Sequence, residues 1–223
     1  TTGKVTATVA ADTAAALKAA LTDTDVNALK LTVSGTSADA ADLVSLDAKT
    51  SVAVDASAIK NISGDAADVK AAYDANANKT ISGLGNETVD LSGANDASVS
   101  LVKAINDFTT GVITLDTVNV SAGNFSLSQL GDLKGITGLN TLDVSAGNTN
   151  ITLSLKDLLA SNDDTNSFIF NIDNGALGDT VKFADTTGWT ADTTNSATGV
   201  TLYTNDVTSQ VITINHTDVV VVA

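Results

Sequence analysis

Three runs decide how the chain reads: Leu29-Lys30-Leu31-Thr32-Val33-Ser34-Gly35, Ala58-Ile59-Lys60-Asn61-Ile62-Ser63-Gly64 and Glu87-Thr88-Val89-Asp90-Leu91-Ser92-Gly93. Each is a short alternating run that closes on Ser-Gly, and the closing glycines lie 29 residues apart in both intervals. Ala- and Asp-rich stretches separate the runs. Echoes follow at Gly123, Gly147 and Gly175. A repeat of roughly 20–50 residues is the sequence signature of a solenoid. The reading is therefore an α/β repeat, a leucine-rich-repeat-like β/α solenoid with a parallel sheet and a period of about 29 residues. It predicts that Val33 and Ile62 lie side by side on adjacent strands.

Helix signals fall between the runs. Asp12-Thr13 caps an Ala/Leu stretch to Leu21, Ser37 or Asp39 caps a helix carrying Leu43, Val44 and Leu46, and Asp65 caps Ala66–Tyr73. Short carboxylates and hydroxyls suit these places because they accept from the free N–H groups of a first turn. A further helix presents Leu101, Val102 and Ile105 after an Asn95 or Asp96 cap, a turn presents Leu127, Leu130 and Leu133, and a last helix runs from about Ser154 to Ala160. Val52–Asp55 and Thr80–Ser82 read as matching extended arms. Beyond Asn162 the helical spacing stops, and Phe168–Ile172, Val181–Phe183, Val200–Tyr203, Val211–Ile214 and Val219–Val222 read as strands. An open solenoid end needs covering. Residues 1–161 thus read as repeats and 162–223 as an all-β, antiparallel C-terminal cap.

Composition narrows function. The net charge is −15, all 11 basic residues are lysine, and Glu87 is the one acidic residue among 26 that is not aspartate. Nucleic acid and anionic membrane surfaces need clustered cations, so neither is expected as a partner. The absence of cysteine excludes disulfides and thiolate metal sites. No apolar run is long enough to span a bilayer as a helix. The chain opens Thr1-Thr2 with no visible leader, which reads as a piece of something longer. One histidine, His216, no cysteine and no arginine make a poor catalytic kit, and the reading is that the chain is not an enzyme.

Calcium takes six to eight oxygen ligands, and Asp163, Asp164, Asp173 and Asp179 supply such a set if the last third folds them together. The competing reading is that Asp and Asn there simply make turns.

Two longer phrases carry a resemblance. Leu46-Asp47-Ala48-Lys49-Thr50 with Val54-Asp55-Ala56-Ser57, followed by Ile81-Ser82-Gly83-Leu84-Gly85-Asn86-Glu87, resembles repeats of large secreted bacterial surface proteins, the RTX-type adhesins and S-layer-like proteins. Asp163-Asp164-Thr165-Asn166-Ser167-Phe168, with Gly178-Asp179-Thr180-Val181 and Gly188-Trp189, is similar to a segment near their C-termini. The calcium-binding glycine-rich nonapeptide of RTX proteins is absent from this stretch. The resemblance implies a secreted, cell-surface structural protein, an S-layer or surface-matrix component that self-assembles, with calcium as its ion. The alternative it implies is an adhesin module that binds envelope glycans or a host surface.

The tail Asp218-Val219-Val220-Val221-Val222-Ala223, an acidic residue followed by a short apolar run, is similar to the uncleaved signal of type I secretion. The other reading is a final edge strand. Deleting Asp218–Ala223 is expected to abolish export from a type I-competent cell while the purified protein stays folded. Export assays paired with melting curves check this, and normal export with loss of the fold leaves only the strand.

Overall fold

The structure is a computed structural model and describes residues 3–162, 167–176, 178–194, 199–216 and 220–222. Two compact units emerge, one of residues 1–94 and 104–113 and one of residues 95–103 and 114–223.

The first unit contains β1 (Thr6–Thr8), α1 (Ala14–Ala20), β2 (Ala28–Lys30), β3 (Ser37–Asp39), α2 (Ala40–Asp47), β4 (Val54–Asp55), β5 (Asn61–Ser63), α3 (Ala66–Ala77), β6 (Ile81–Ser82) and β7 (Thr88–Asp90). Helix α4 (Val99–Phe108) is shared between the two units, its first half counted with the second. Thr13 caps α1, its hydroxyl accepting from Ala16 N at 3.3 Å, and Asp39 caps α2, accepting from Ala41 N at 2.9 Å. Strands β3, β5 and β7 pair in parallel, as do β1 with β2 and β4 with β6. The apolar positions of the helices, Leu43, Leu46, Val69 and Ala72, are fully buried along with Val54, Ile62 and Ile81. That interior is the driving force for the unit, since strands of two or three residues have few ladder bonds of their own.

The second unit continues with β8 (Ile113–Thr114, begun in the first unit), β9 (Thr117–Asn119), β10 (Gly123–Ser126), two short 3-10 turns at Leu127–Leu130 and Leu133–Gly135, β11 (Ile136–Thr137), β12 (Thr141–Asp143), β13 (Thr149–Ser154) and α5 (Leu155–Ala160). It ends with β14 (Phe168–Asp173), β15 (Thr180–Asp185), β16 (Trp189–Asp192), β17 (Val200–Asn205), β18 (Val211–His216) and β19 (Val220–Val222). One sheet has the order β16-β17-β18-β14-β12-β9 and another the order β10-β13-β15-β19. Period-2 alternation sorts the larger sheet cleanly. Val118, Leu142, Phe170, Ile172, Ile212 and Ile214 are buried on one face, while Thr117, Thr141, Asn171 and Asn215 occupy the other.

The expected solenoid is corrected. The chain is a mixed α/β fold of many short strands in several small sheets. Ile62 pairs with Ala38 and Val89, whereas Val33 bridges to Asp12. Cross-strand partners are 24 residues apart at Ala38–Ile62, 27 at Ile62–Val89, 30 at Leu142–Ile172 and 40 at Val181–Val221. No 29-residue step relates them. The glycines misled because they mark reversals, with φ of 93° at Gly35, 128° at Gly64 and 82° at Gly93, a region glycine enters at little cost. Gly35 precedes its strand, while Gly64 follows β5 and Gly93 follows β7. The last sixty residues also differ from an antiparallel cap. Among the described residues only β16-β17 and β17-β18 run antiparallel, and β14 and β15 pair in parallel with β12 and β13.

Within α4, Ile105 is fully buried and Leu101 only partly so. Ile105→Ala should destabilise by about 2–5 kcal/mol, as buried large-to-small changes do, and Leu101→Ala by clearly less. Chemical denaturation of the two variants checks the order.

Candidate functional site

Turn chemistry comes first, because several aspartates at strand ends are spent on it. Five strands or arms leave through Asp-x-Ser or Asp-x-Thr. The carboxylate of Asp55, Asp90, Asp143, Asp185 or Asp192 accepts from the backbone N–H two residues on, at 2.9–3.2 Å. In two of them the added hydroxyl bond holds the acid below the usual carboxylate range: Ser57 acts on Asp55 and Thr194 on Asp192, the side-chain bond leading and the backbone bond following. Hydrogen bonds to the charged form favour it.

Asp179 shows the same economy in a buried place. Its Oδ1 accepts from Thr149 N at 2.6 Å and its Oδ2 from Ala176 N at 2.7 Å, and the residue is fully buried. It ties the start of β13 to the loop before β15. Asp173, at the end of β14, is exposed. Asp163 and Asp164 lie outside the described residues. Among the described residues no three His, Cys, Asp or Glu side chains gather as a metal site.

In the first unit the lone glutamate is buried. Glu87 Oε2 accepts from Gly85 N at 2.7 Å, Asn86 N at 3.2 Å and Tyr73 Oη at 3.3 Å, while Oε1 has no partner. Thr109 Oγ1 donates to the Glu87 carbonyl at 2.7 Å. Gly111 packs so closely on that carbonyl that a Cβ would fall 2.0 Å from its oxygen. Asn76 clamps the same loop from α3, bonding both Leu84 N and Leu84 O at 3.2 Å. Burial raises the Tyr73 phenol, with the Thr109 bond opposing and the Glu87 charge and bond adding to the rise. This cluster pins the loop between α3 and β7. The sequence signal for it was the single glutamate behind Gly83-Leu84-Gly85-Asn86.

The one histidine is also interior. His216 is 3% exposed, its Nε2 lies 3.1 Å from Thr201 Oγ1, and its Nδ1 has no partner. It joins β18 to the antiparallel β17 as part of the sheet.

Among the described residues, two surface clefts stand out. One of about 170 Å³ lies at the ends of β5 and β7, with Ser63, Asp65, Asp90 and Ser92 on its walls. The larger, about 360 Å³, lies in the second unit beside β10, lined by Ser98, Ser100, Lys103, Ser121, Asn124 and Gln129 with Phe125 among them. Ser98 Oγ accepts from Leu101 N at 3.4 Å and starts α4, the place assigned from the sequence to Asn95 or Asp96. No protein-family model matches the chain, and comparison with curated proteins and with solved structures finds no match.

A half-buried polar row lies on the outer face of the six-stranded sheet. Thr117, Thr141, Asn171 and Asn215 stand in register across β9, β12, β14 and β18. Asn215 Nδ2 donates to Asn171 Oδ1 at 2.8 Å, and Asn171 Nδ2 reaches Thr141 Oγ1 at 3.5 Å. A matching row crosses the four-stranded sheet, with Thr180 Oγ1 donating to Asn150 Oδ1 at 2.9 Å and Asn150 Nδ2 to Asn124 Oδ1 at 3.2 Å. Of the tail read as a secretion signal, Val220–Val222 form β19 on β15, whereas Asp218, Val219 and Ala223 lie outside the described residues.

Burial also pushes the Tyr203 phenol up to about 12. Tyr203 is 5% exposed and packs on Phe183 at 4.6 Å between ring centroids. An exposed tyrosine ionises near pH 10. The folded value lies above the unfolded one, so this contribution is whole below pH ~10 and is lost as pH rises towards about 12. The melting temperature should fall over that alkaline window, and Tyr203→Phe should blunt the fall. Circular dichroism melts at increasing pH check both.

Proposed function

We propose that the chain is a structural component of a secreted bacterial surface layer or matrix, exported by a type I system, whose work is self-association rather than catalysis. The observation that supports it most is the row of threonine and asparagine across four parallel strands. Each amide and hydroxyl is both donor and acceptor, and the neighbours bond to one another. Such a row forms a shallow, ordered face suited to lying against another extended surface. It encloses nothing. A net charge of −15 keeps copies apart in dilute solution. Divalent cations, calcium first, would relieve that repulsion and set the condition for assembly.

A second reading, an adhesin module for envelope glycans or a host surface, is favoured by the 360 Å³ cleft. Its serine hydroxyls and the Asn124 and Gln129 amides suit sugar hydroxyls. The two readings separate in paired measurements. Titrating calcium into the purified chain should produce growing particles by light scattering and ordered assemblies by electron microscopy. A chain that stays monomeric with calcium yet binds on a glycan array reverses the order of the two.

A further inference from the structure

We propose that the two edges of the four-stranded parallel sheet, β10 and β19, pair with each other between neighbouring copies, so that the copies add head to tail. The inference rests on the self-association reading and names its surface. All three pairings in this sheet are parallel, and β10 and β19 are its terminal strands among the described residues. A strand running the same way continues the parallel ladder of this sheet unchanged, and the opposite edge of another copy, displaced along the sheet, runs that way.

Edge chemistry agrees. Exposed edges are usually blunted by charge, lysine above all, or by proline. β10 reads Gly123-Asn124-Phe125-Ser126 and β19 reads Val220-Val221-Val222, and the whole chain lacks proline. Neither edge carries a charge in a chain of −15, so like-charged copies meet with least repulsion here. The backbone of β10 is also open to a neighbour at Asn124. Gly123 N donates to Asn148 O, so Gly123 faces β13. Backbone groups of alternate residues in a strand point to opposite sides, so those of Asn124 point away from the sheet, whereas the Ser126 carbonyl begins the 3-10 turn at Leu127–Leu130. The outward Asn124 carbonyl holds only a 3.4 Å bond from the exposed Gln129 side chain. The 360 Å³ cleft beside Asn124 and Phe125 supplies space for an incoming strand.

Register follows from the ladder. Asn124 pairs with Asn150, Asn150 with Thr180, and Thr180 with Val220. Continuing the sheet sets Val220 of one copy beside Asn124 of the next. Two different patches in contact make a heterologous interface, which grows as an open series unless its rotation closes.

The test uses the full chain in calcium-containing buffer. Sedimentation velocity of the unaltered protein at rising concentration should show an open series of sizes. Asn124→Pro, which removes an outward N–H at a position where edge strands tolerate proline, should raise the association midpoint by at least about tenfold, with an unchanged circular dichroism spectrum. Because the chain has no cysteine, an Asn124→Cys copy mixed with a Val220→Cys copy should form the mixed disulfide in preference to either like pair. That measurement decides the matter if Asn124→Pro fails to fold. Self-association that survives Asn124→Pro in a folded chain, a closed dimer, or Asn124→Cys linking equally well to itself overturns the edge pairing and leaves self-association standing. A chain monomeric at every concentration overturns both.

Discussion

Parallel pairing is the constraint on which the rest of the architecture depends. A tight turn joins antiparallel neighbours only, so a parallel partner must come back through a crossover of a dozen or more residues. The spacings from Ala38 to Ile62 and from Ile62 to Val89 hold such crossovers, filled by α2 and α3. The helices exist here as return paths whose apolar sides, Leu43 and Leu46 on one and Val69 and Ala72 on the other, are fully buried. In the second unit the return between β12 and β14 carries β13 and α5 instead. Crossovers of different content have different lengths, so no fixed period survives.

The amino-acid usage follows from the same geometry. Many short elements mean many exits, and each exit leaves backbone N–H groups to satisfy. A carboxylate on a one-carbon stem reaches the N–H two residues on, as Asp90 reaches Ser92. Glutamate, one methylene longer, does not fit that small ring, which favours aspartate at these exits in a chain with 25 aspartates beside one glutamate. Part of the acidity of the chain is thus a by-product of its turns. Asp179, read as a calcium ligand, accepts from two backbone amides.

Local features were legible and long-range ones were not. Thr13 and Asp39 cap as their positions imply, Val54 pairs with Ile81 as the matching arms suggested, and β14, β15, β17 and β18 fall where alternation puts them. These depend on neighbours within a few residues. Register depends on which distant strand wins, and the Ser-Gly endings at Gly35 and Gly64 looked equivalent although one opens a strand and the other closes one. The strand Trp189–Asp192 was missed because its outer positions are exposed and only pairing with β17 defines it. Glu87 and His216 were visible as solitary residues, but nothing nearby in the chain announced that Tyr73 and Thr201 would meet them.

Solitude gives those two residues a spectroscopic value. Glu87 lies in the first unit and His216 in the second, each interior and each the sole member of its type. Isotopic labelling of glutamate alone, or of histidine alone, therefore yields one resonance from one unit with no assignment problem. Followed through a denaturant series, the pair reports whether the two units open together or in turn, a question that bulk spectroscopy of a chain with one tryptophan cannot resolve.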